Sequence, residues 1–554
     1  MSASDKKKLR KEQNAAALTE KQLQERKEAK TLKTYTVTFI VVMVLVVAIV
    51  LGVVVRTPIA GAIDRGTHAV TVGDLELSTT DLSYYYVDAI NSFYSQFSSY
   101  GNYADLYAQM MAGLTATLPL DEQKYDENTT WADYFIGKAK ESAQWTYAMC
   151  QKAKAEGFKL EEEDQEFLDN FEDNMTVYAQ LYGFSTLNGW LRNSYGDGAN
   201  VKTYQAYYSD TMLANAYASD YYEKLEFEES DYREYEKDKY HEFSSYSYAI
   251  HQINVSSYLT FLELGTEVKG EDGKTSITYS DEDNKKALDA AKGDVEALTK
   301  DISTLEALNL AINGLDINAN AKDPLKADEK EKLLYSSISN DDLKKWLSDK
   351  DRKEGDITSI EITSGTDENK KVTGYYVVLF QGCDDNIVPL ANVRHILVKF
   401  TGGTKDDKTG ETVYSDKEKQ AAKTEAEAIL KQWEEGKKTA ESFAELAKKE
   451  SDDSTKSNGG LIEDIAPNNQ YVENFQDWCF AEGRKAGDYG IIETEYGYHV
   501  MYYVEHDKMT YRDTMIDAAL TEEKYTEWEE ALIKTVTVTD VNLSGMKRDF
   551  LISG

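Results

Sequence analysis

His395, the run Ser451-Asp452-Asp453 and His499 are the residues whose types invite chemistry in this 554-residue chain. His395 opens the apolar, β-branched stretch "NVRHILVKF", where a strand serving only a core would carry Val or Ile. His499 lies in a second such stretch, "GYHVMYYV". The aspartates follow the amphipathic segment "FAELAKKE" and precede a Gly459-Gly460 turn. Two imidazoles and a carboxylate could ligate a metal, but they lack the close spacing of His-x-x-x-His sites, so no metal is expected. Cys479 beside a histidine could be a nucleophile pair. It stands between Trp478 and Phe480 on an apolar helix face, however, and reads as core.

The elements that must position these groups form an α+β pattern. "YVENFQDWCF" places Tyr471, Phe475 and Phe480 around one helix. The surrounding stretch also has a counterpart upstream. "WLSDKDRKEGDI" (Trp346–Ile357) aligns without a gap to "WCFAEGRKAGDY" (Trp478–Tyr489), sharing Trp, Arg-Lys and Gly-Asp. "SYAIHQINV" parallels "NVRHILVKF", which pairs His251 with His395, and "TGYYVVLF" parallels "YGYHVMYY", which pairs Tyr376 with His499. Residues 239–386 and 387–507 are therefore expected to be two copies of one domain. The first is expected to carry a charged insertion at roughly 265–330 and to be degenerate. It has no closing histidine, no Ser-Asp-Asp run and no Gly-Gly turn.

The combination in residues 388–507 resembles the parvulin family of peptidyl-prolyl isomerases: the HILV strand, the F-A-x-L-A helix, the Ser-Asp-Asp loop, Gly-Gly and the final Gly-Tyr-His strand. The whole chain is similar to extracytoplasmic foldases of the PrsA and SurA type, in which a helical lobe made from both chain ends carries inserted parvulin domains. The resemblance implies a peptidyl-prolyl cis-trans isomerase that needs no cofactor. It puts the paired histidines on His395 and His499 and the acidic position on Asp453. It puts the proline pocket on Leu461, Tyr471 and Phe475, and the residue supporting the last histidine on Thr494. Two departures border that pocket: Tyr471 stands where the family usually has Met, and Gly459-Gly460-Leu461-Ile462-Glu463-Asp464 replaces G-D-L-G-W-F. The chemistry suits these residue types. Rotation about X-Pro faces an amide barrier of ~18–20 kcal/mol, and lowering it needs an apolar grip on the ring and a field that favours the twisted amide.

Composition bounds the rest. Lys and Arg number 62 against 99 Asp and Glu, a net charge of −37, which argues against nucleic acid as a partner. Three cysteines far apart make no disulfide framework. Residues 1–34 are basic, and Thr36–Val55 is a run of twenty residues without a charge, long enough to span a bilayer. The expected order is a cytoplasmic segment (1–34), a single membrane anchor (35–56) and an acidic body outside the cell membrane. That body would begin with a helical chaperone lobe (57–238), its tyrosines serving either as core or as an open client surface. It would end with a helix and strand (508–554) packing on that lobe, the strand beside "AVTV". Expected partners are unfolded or newly secreted, proline-containing polypeptides and the membrane, with monomer and homodimer both open. Two functions from different classes remain: a foldase with isomerase activity, and a non-enzymatic holdase whose parvulin copies only bind.

Overall fold

The computed structural model describes residues 58–550 except 270–274, 366–369, 407–409 and 468–469, together with 4–8, 38 and 41–43. Nearly all of the expected span Thr36–Val55 lies outside the described residues. Among those described, no helix is long and apolar enough to cross a membrane.

The chain divides into two units, one running to Leu225 and resuming at Glu523, the other comprising Glu226–Glu522. In the first unit Ser78 caps helix Thr79–Ser95 through a capping box with Asp81. Thr130 caps Trp131–Glu156 and Asn200 caps Val201–Glu223 in the same manner. Their facing surfaces bury Tyr84, Tyr86, Phe135 and Tyr204. The strand His68–Val72 lies between Leu75–Ser78 and Val538–Asp540, with Val72 opposite Val538. Among the described tyrosines of this unit, Tyr84, Tyr85, Tyr195 and Tyr204 are core, whereas Tyr103, Tyr178 and Tyr182 are exposed.

The second unit starts earlier and ends later than the sequence suggested. Residues 226–238 and 508–522, expected in the helical lobe, belong to it instead. These segments share an apolar cluster of Tyr232, Phe243, Ile516 and Leu520 and a buried ion pair, in which the Arg512 guanidinium bonds Glu236 and the carbonyls of Tyr240 and Asp385. Tyr232 also donates to Asp517 at 2.8 Å.

Two four-stranded antiparallel sheets make up the rest of this unit, with corresponding strand orders. The first runs Asp328–Leu334, Ser245–Asn254, Lys371–Asp384, Ile357–Ser364. The second runs Leu461–Ile465, Pro389–Lys399, Gly497–Thr510, Tyr489–Thr494. The shared Trp/Arg-Lys/Gly-Asp motif makes the same bonds in both. Each Arg lies 4.0 Å from its Trp ring (Arg352 on Trp346, Arg484 on Trp478) and donates through Nε to that Trp carbonyl. Gly355 N–H reaches Phe380 O as Gly487 N–H reaches Tyr503 O, and Asp356 O accepts from Phe380 as Asp488 O accepts from Tyr503.

This register corrects two sequence expectations. Phe380 corresponds to Tyr503, so Ile250, not His251, occupies the position of His395. A one-residue slip turns a strand side chain to the other face, and His251 pairs with Val377 on the face covered by helices Asp281–Thr299 and Leu305–Gly314. The charged stretch 265–330 is also largely not an insertion. Thr266–Lys269 and Thr275–Thr278 form a hairpin matching Thr404–Lys405 and Thr412–Val413. The following helix is capped by Ser280 in the first copy and Ser415 in the second, and Thr304 and Thr439 cap the next. The short helix Val255–Phe261 is what the first copy adds at this point.

Candidate active site

The second sheet is covered on one face by helices Asp416–Glu434 and Ala440–Glu450, and on the other by the single short helix Glu473–Cys479. His395 and His499 belong to adjacent strands and share this less-covered face. His395 lies opposite Met501, and His499 lies two residues back on the Met501 strand. Both rings are buried, with 3% and 6% of their surface exposed. They stack with centroids 5.2 Å apart, and Phe475 stands edge-on to both at 5.5 Å.

A continuous hydrogen-bond chain runs through the pair. Its members are Thr494 Oγ1 and His499 Nε2 (2.9 Å), the two Nδ1 atoms (3.0 Å), and His395 Nε2 and Thr455 Oγ1 (3.1 Å). Thr455 Oγ1 lies 2.7 Å from Asp453 Oδ1, which also accepts from the Thr455 amide at 2.9 Å. The carboxylate end fixes the direction. At the other end Thr494 Oγ1 accepts from the Tyr496 amide and has two acceptors in reach of its proton, His499 Nε2 at 2.9 Å and the Gly497 carbonyl at 3.4 Å. An ionised carboxylate can only accept, so Thr455 donates to Asp453 and receives from His395 Nε2–H. His499 Nδ1–H is then the donor between the rings. With both imidazoles neutral, every polar atom of the chain is satisfied, and it ends on a carboxylate.

Electrostatics agree with that assignment. Burial, and next the neighbouring His395 ring, push the His499 pKa down to about 4, so it is neutral near pH 7. The adjacent His395 ring and the hydrogen bonds from Thr455 hold the Asp453 carboxyl well below the usual carboxylate range, against its partial burial. Asp453 is partly accessible, with 27% of its side chain exposed, and lies 3.4 Å from His395 Nε2.

The loop carrying Asp453 is held to the sheet. Ser451 Oγ accepts from the Leu397 amide at 3.1 Å and from the Asp453 amide at 3.2 Å. Asp452 receives Lys399 N–H at 3.1 Å, so it is a strut and not a second acid. Gly460 returns the chain to the strand, its carbonyl accepting from His395 N–H at 2.8 Å. A Cβ at Gly460 would overlap the His395 carbonyl oxygen, and its φ is +69°; only glycine fits there.

Of the residues assigned from sequence, His395, Asp453, His499 and Thr494 come together in the chain just described. Tyr471 and Phe475 stack at 5.3 Å on its apolar side. Leu461 does not join them. It pairs with Arg394, whose side chain points to the opposite face. Ile462, paired with Val393, turns into the apolar cluster of Phe475, Met501 and Tyr503 instead. Sequence reasoning also missed Thr455. Its signal is the Asp-Ser-Thr spacing, in which an Asp side chain bonds the amide two residues on.

Residues 395–505 match the model of the rotamase family, the PPIC-type PPIase domain. Over 133 residues the chain is 32% identical to "Foldase protein PrsA 1" of Listeria innocua, and 31% identical to the Listeria monocytogenes protein of the same name. Each match covers 22% of this chain and 45% of the relative, so the chain spans less than half the length of the curated relatives it matches. A crystal structure of PrsA from Bacillus subtilis is 25% identical, covering 26% of this chain and 47% of that one, with a TM-score of 0.16.

Proposed function

We propose that this chain, whose residues 395–505 are a PPIC-type PPIase domain, is a foldase that isomerises X-Pro bonds in that domain and holds unfolded clients with the rest of its body. The observation that carries the proposal is the one-way hydrogen-bond chain from Thr494 to Asp453, set beside the apolar group of Phe475, Tyr471 and Ile462. In a planar amide the carbonyl oxygen carries extra negative charge and the nitrogen is partly positive; twisting returns the lone pair to nitrogen. An anionic oxygen near the substrate carbonyl raises the planar form more than the twisted one, which lowers the barrier without a covalent step. Asp453 supplies the anion, the apolar group takes the proline ring, and the stacked imidazole pair fixes the position of Asp453. Thr455, His395, His499 and Thr494 are positioning residues.

The uncharged run Thr36–Val55 behind a basic segment supports a single-pass anchor with the acidic body outside the cell. Exposed tyrosines of the first unit support the holding role. A protease-coupled isomerisation assay on a proline tetrapeptide tests the enzyme reading. Wild type should accelerate the cis-to-trans step and Asp453→Ala should not. Equal inactivity of the two would leave the non-enzymatic holdase.

A further inference from the structure

Between Asp88 and Asp121 the sequence holds one charged residue, Asp105, in a chain of which 29% of residues are charged. In the first unit this stretch forms the end of helix Thr79–Ser95, a short turn Ser98–Tyr103 and the helix Ala104–Ala112. That last helix reverses the usual arrangement of a helix in water. Its one buried residue is the small Ala108, whereas Leu106, Met110 and Met111 are 50%, 72% and 69% exposed. At about 100° per residue, Leu106 and Met110 share one face, directly opposite Ala108. Asp105 falls about 60° from Ala108 by the same count, toward the protein side, and accepts from the Tyr94 hydroxyl. The outward face is therefore free of charge. Tyr107 extends it by stacking on Tyr100 at 3.8 Å, and Tyr103, just before the helix, is exposed as well. A contiguous exposed apolar face of this kind marks an interaction surface.

We propose that this face docks on the lipid bilayer, the helix Ala104–Ala112 lying in the membrane plane with Leu106, Met110 and Met111 at the headgroup–acyl boundary. Three features favour lipid as the occupant. The first is the tether: only Arg56 and Thr57 separate the uncharged run Thr36–Val55 from the first helix of the unit, which starts at Pro58. Two residues reach no more than about 7 Å, so the unit that carries the face is held at the bilayer surface. A contact too weak to form from solution then forms because its local concentration is high. The second is charge. A body of net charge −37 is repelled by anionic lipid, and a face without carboxylates is the part of it that can approach. The third is residue type. Tyr100, Tyr103 and Tyr107 have rings of the kind that settle at headgroup level, beside Leu and Met that enter the acyl region. Docking fixes the orientation of the first unit on the membrane. The tether argument rests on the single-pass reading of Thr36–Val55.

The test uses the full chain carrying Cys383→Ser, which removes the exposed thiol and leaves Cys150 and Cys479 buried. Met110→Cys is added and labelled with a nitrobenzoxadiazole dye. The chain is mixed with preformed vesicles of phosphatidylcholine and phosphatidylglycerol, some of whose lipids bear a nitroxide on an acyl carbon near the headgroup. The nitroxides are expected to quench most of the emission at position 110 and little of it at Glu163→Cys, an exposed site on helix Glu162–Asp169 of the same unit. Leu106→Glu with Met111→Glu, both at exposed positions, should lower the ratio of docked to free faces by roughly tenfold or more, the scale of one apolar side chain kept in water. Equal quenching at positions 110 and 163 would overturn the proposal. So would a dye at position 110 that an unfolded polypeptide shields and vesicles do not. Extraction with alkaline carbonate tests the anchor separately: a chain that is extracted and yet quenched at position 110 loses the anchor and keeps the docking face.

Discussion

Acid should loosen the PPIC-type domain through one identifiable ring. Burial and the neighbouring imidazole place the His499 pKa at about 4 in the folded chain, against roughly 6.5 when unfolded. The unfolded state therefore binds more protons between those values, so stability falls as pH drops through that window and is fully present above it. For these two pKa values the loss between pH 7 and pH 4.5 is roughly 2 kcal/mol. With a urea m-value of about 1–1.5 kcal/mol/M for a domain of this size, the midpoint should fall by roughly 1.5–2 M. Asp453 adds a loss of the same sign only at lower pH, because its folded pKa lies below that of a free carboxyl. The control is His499→Tyr, which installs the residue found at this place in the first copy and removes the titration. The assay is equilibration in urea at each pH, then a pulse of hydrogen exchange at fixed pH, read on the peptide covering Pro389–Lys399. A wild-type midpoint that moves no more than that of His499→Tyr would refute the reasoning. So would a His499 ring that titrates near 6.5 in 15N spectra.

Three further outcomes follow from the same geometry. Gly460→Ala should cost roughly 2–4 kcal/mol, since it adds a clash with the His395 carbonyl to a positive φ. Gly483→Ala, with positive φ but open space around its Cβ position, should cost only about 1 kcal/mol; thermal melts of the two variants check the difference. Thr455→Val should keep the fold but lower kcat/KM on a tetrapeptide by roughly tenfold, because His395 and Asp453 lose the hydroxyl between them. Arg512→Met should destabilise the second unit by roughly 3–5 kcal/mol, since it strands the buried Glu236 carboxylate; urea unfolding measures it.

What the sequence made legible is largely what alternates or repeats. The two histidine strands, the Asp453 loop and the Tyr471–Phe475 helix could be read because each has a distinct local pattern, and the fold brings their side chains together. The errors are one-residue errors. The resemblance points to Leu461 where the structure turns Ile462 to the pocket face, and the repeat points to His251 where Ile250 holds the place of His395. Only strand pairing decides which face a residue takes. Residues 265–330 read as an insertion because their charge hid a second repeat, Tyr279-Ser280-Asp281 against Tyr414-Ser415-Asp416, which ends the hairpin and caps the helix in each copy. The edges of the second unit were not legible at all. They depend on Arg512 meeting Glu236 across a long sequence separation, and nothing local announces that pair.

The central claim is that the carboxylate at the end of the imidazole chain lowers the barrier to proline rotation. Exchange spectroscopy of a proline tetrapeptide at equilibrium measures it directly, with no coupled protease. Catalytic amounts of the wild-type chain should produce cis–trans exchange cross-peaks. Asp453→Asn, which keeps the shape and loses the charge, should reduce the exchange rate at least tenfold. Exchange equally fast with Asp453→Asn and with wild type would contradict the account.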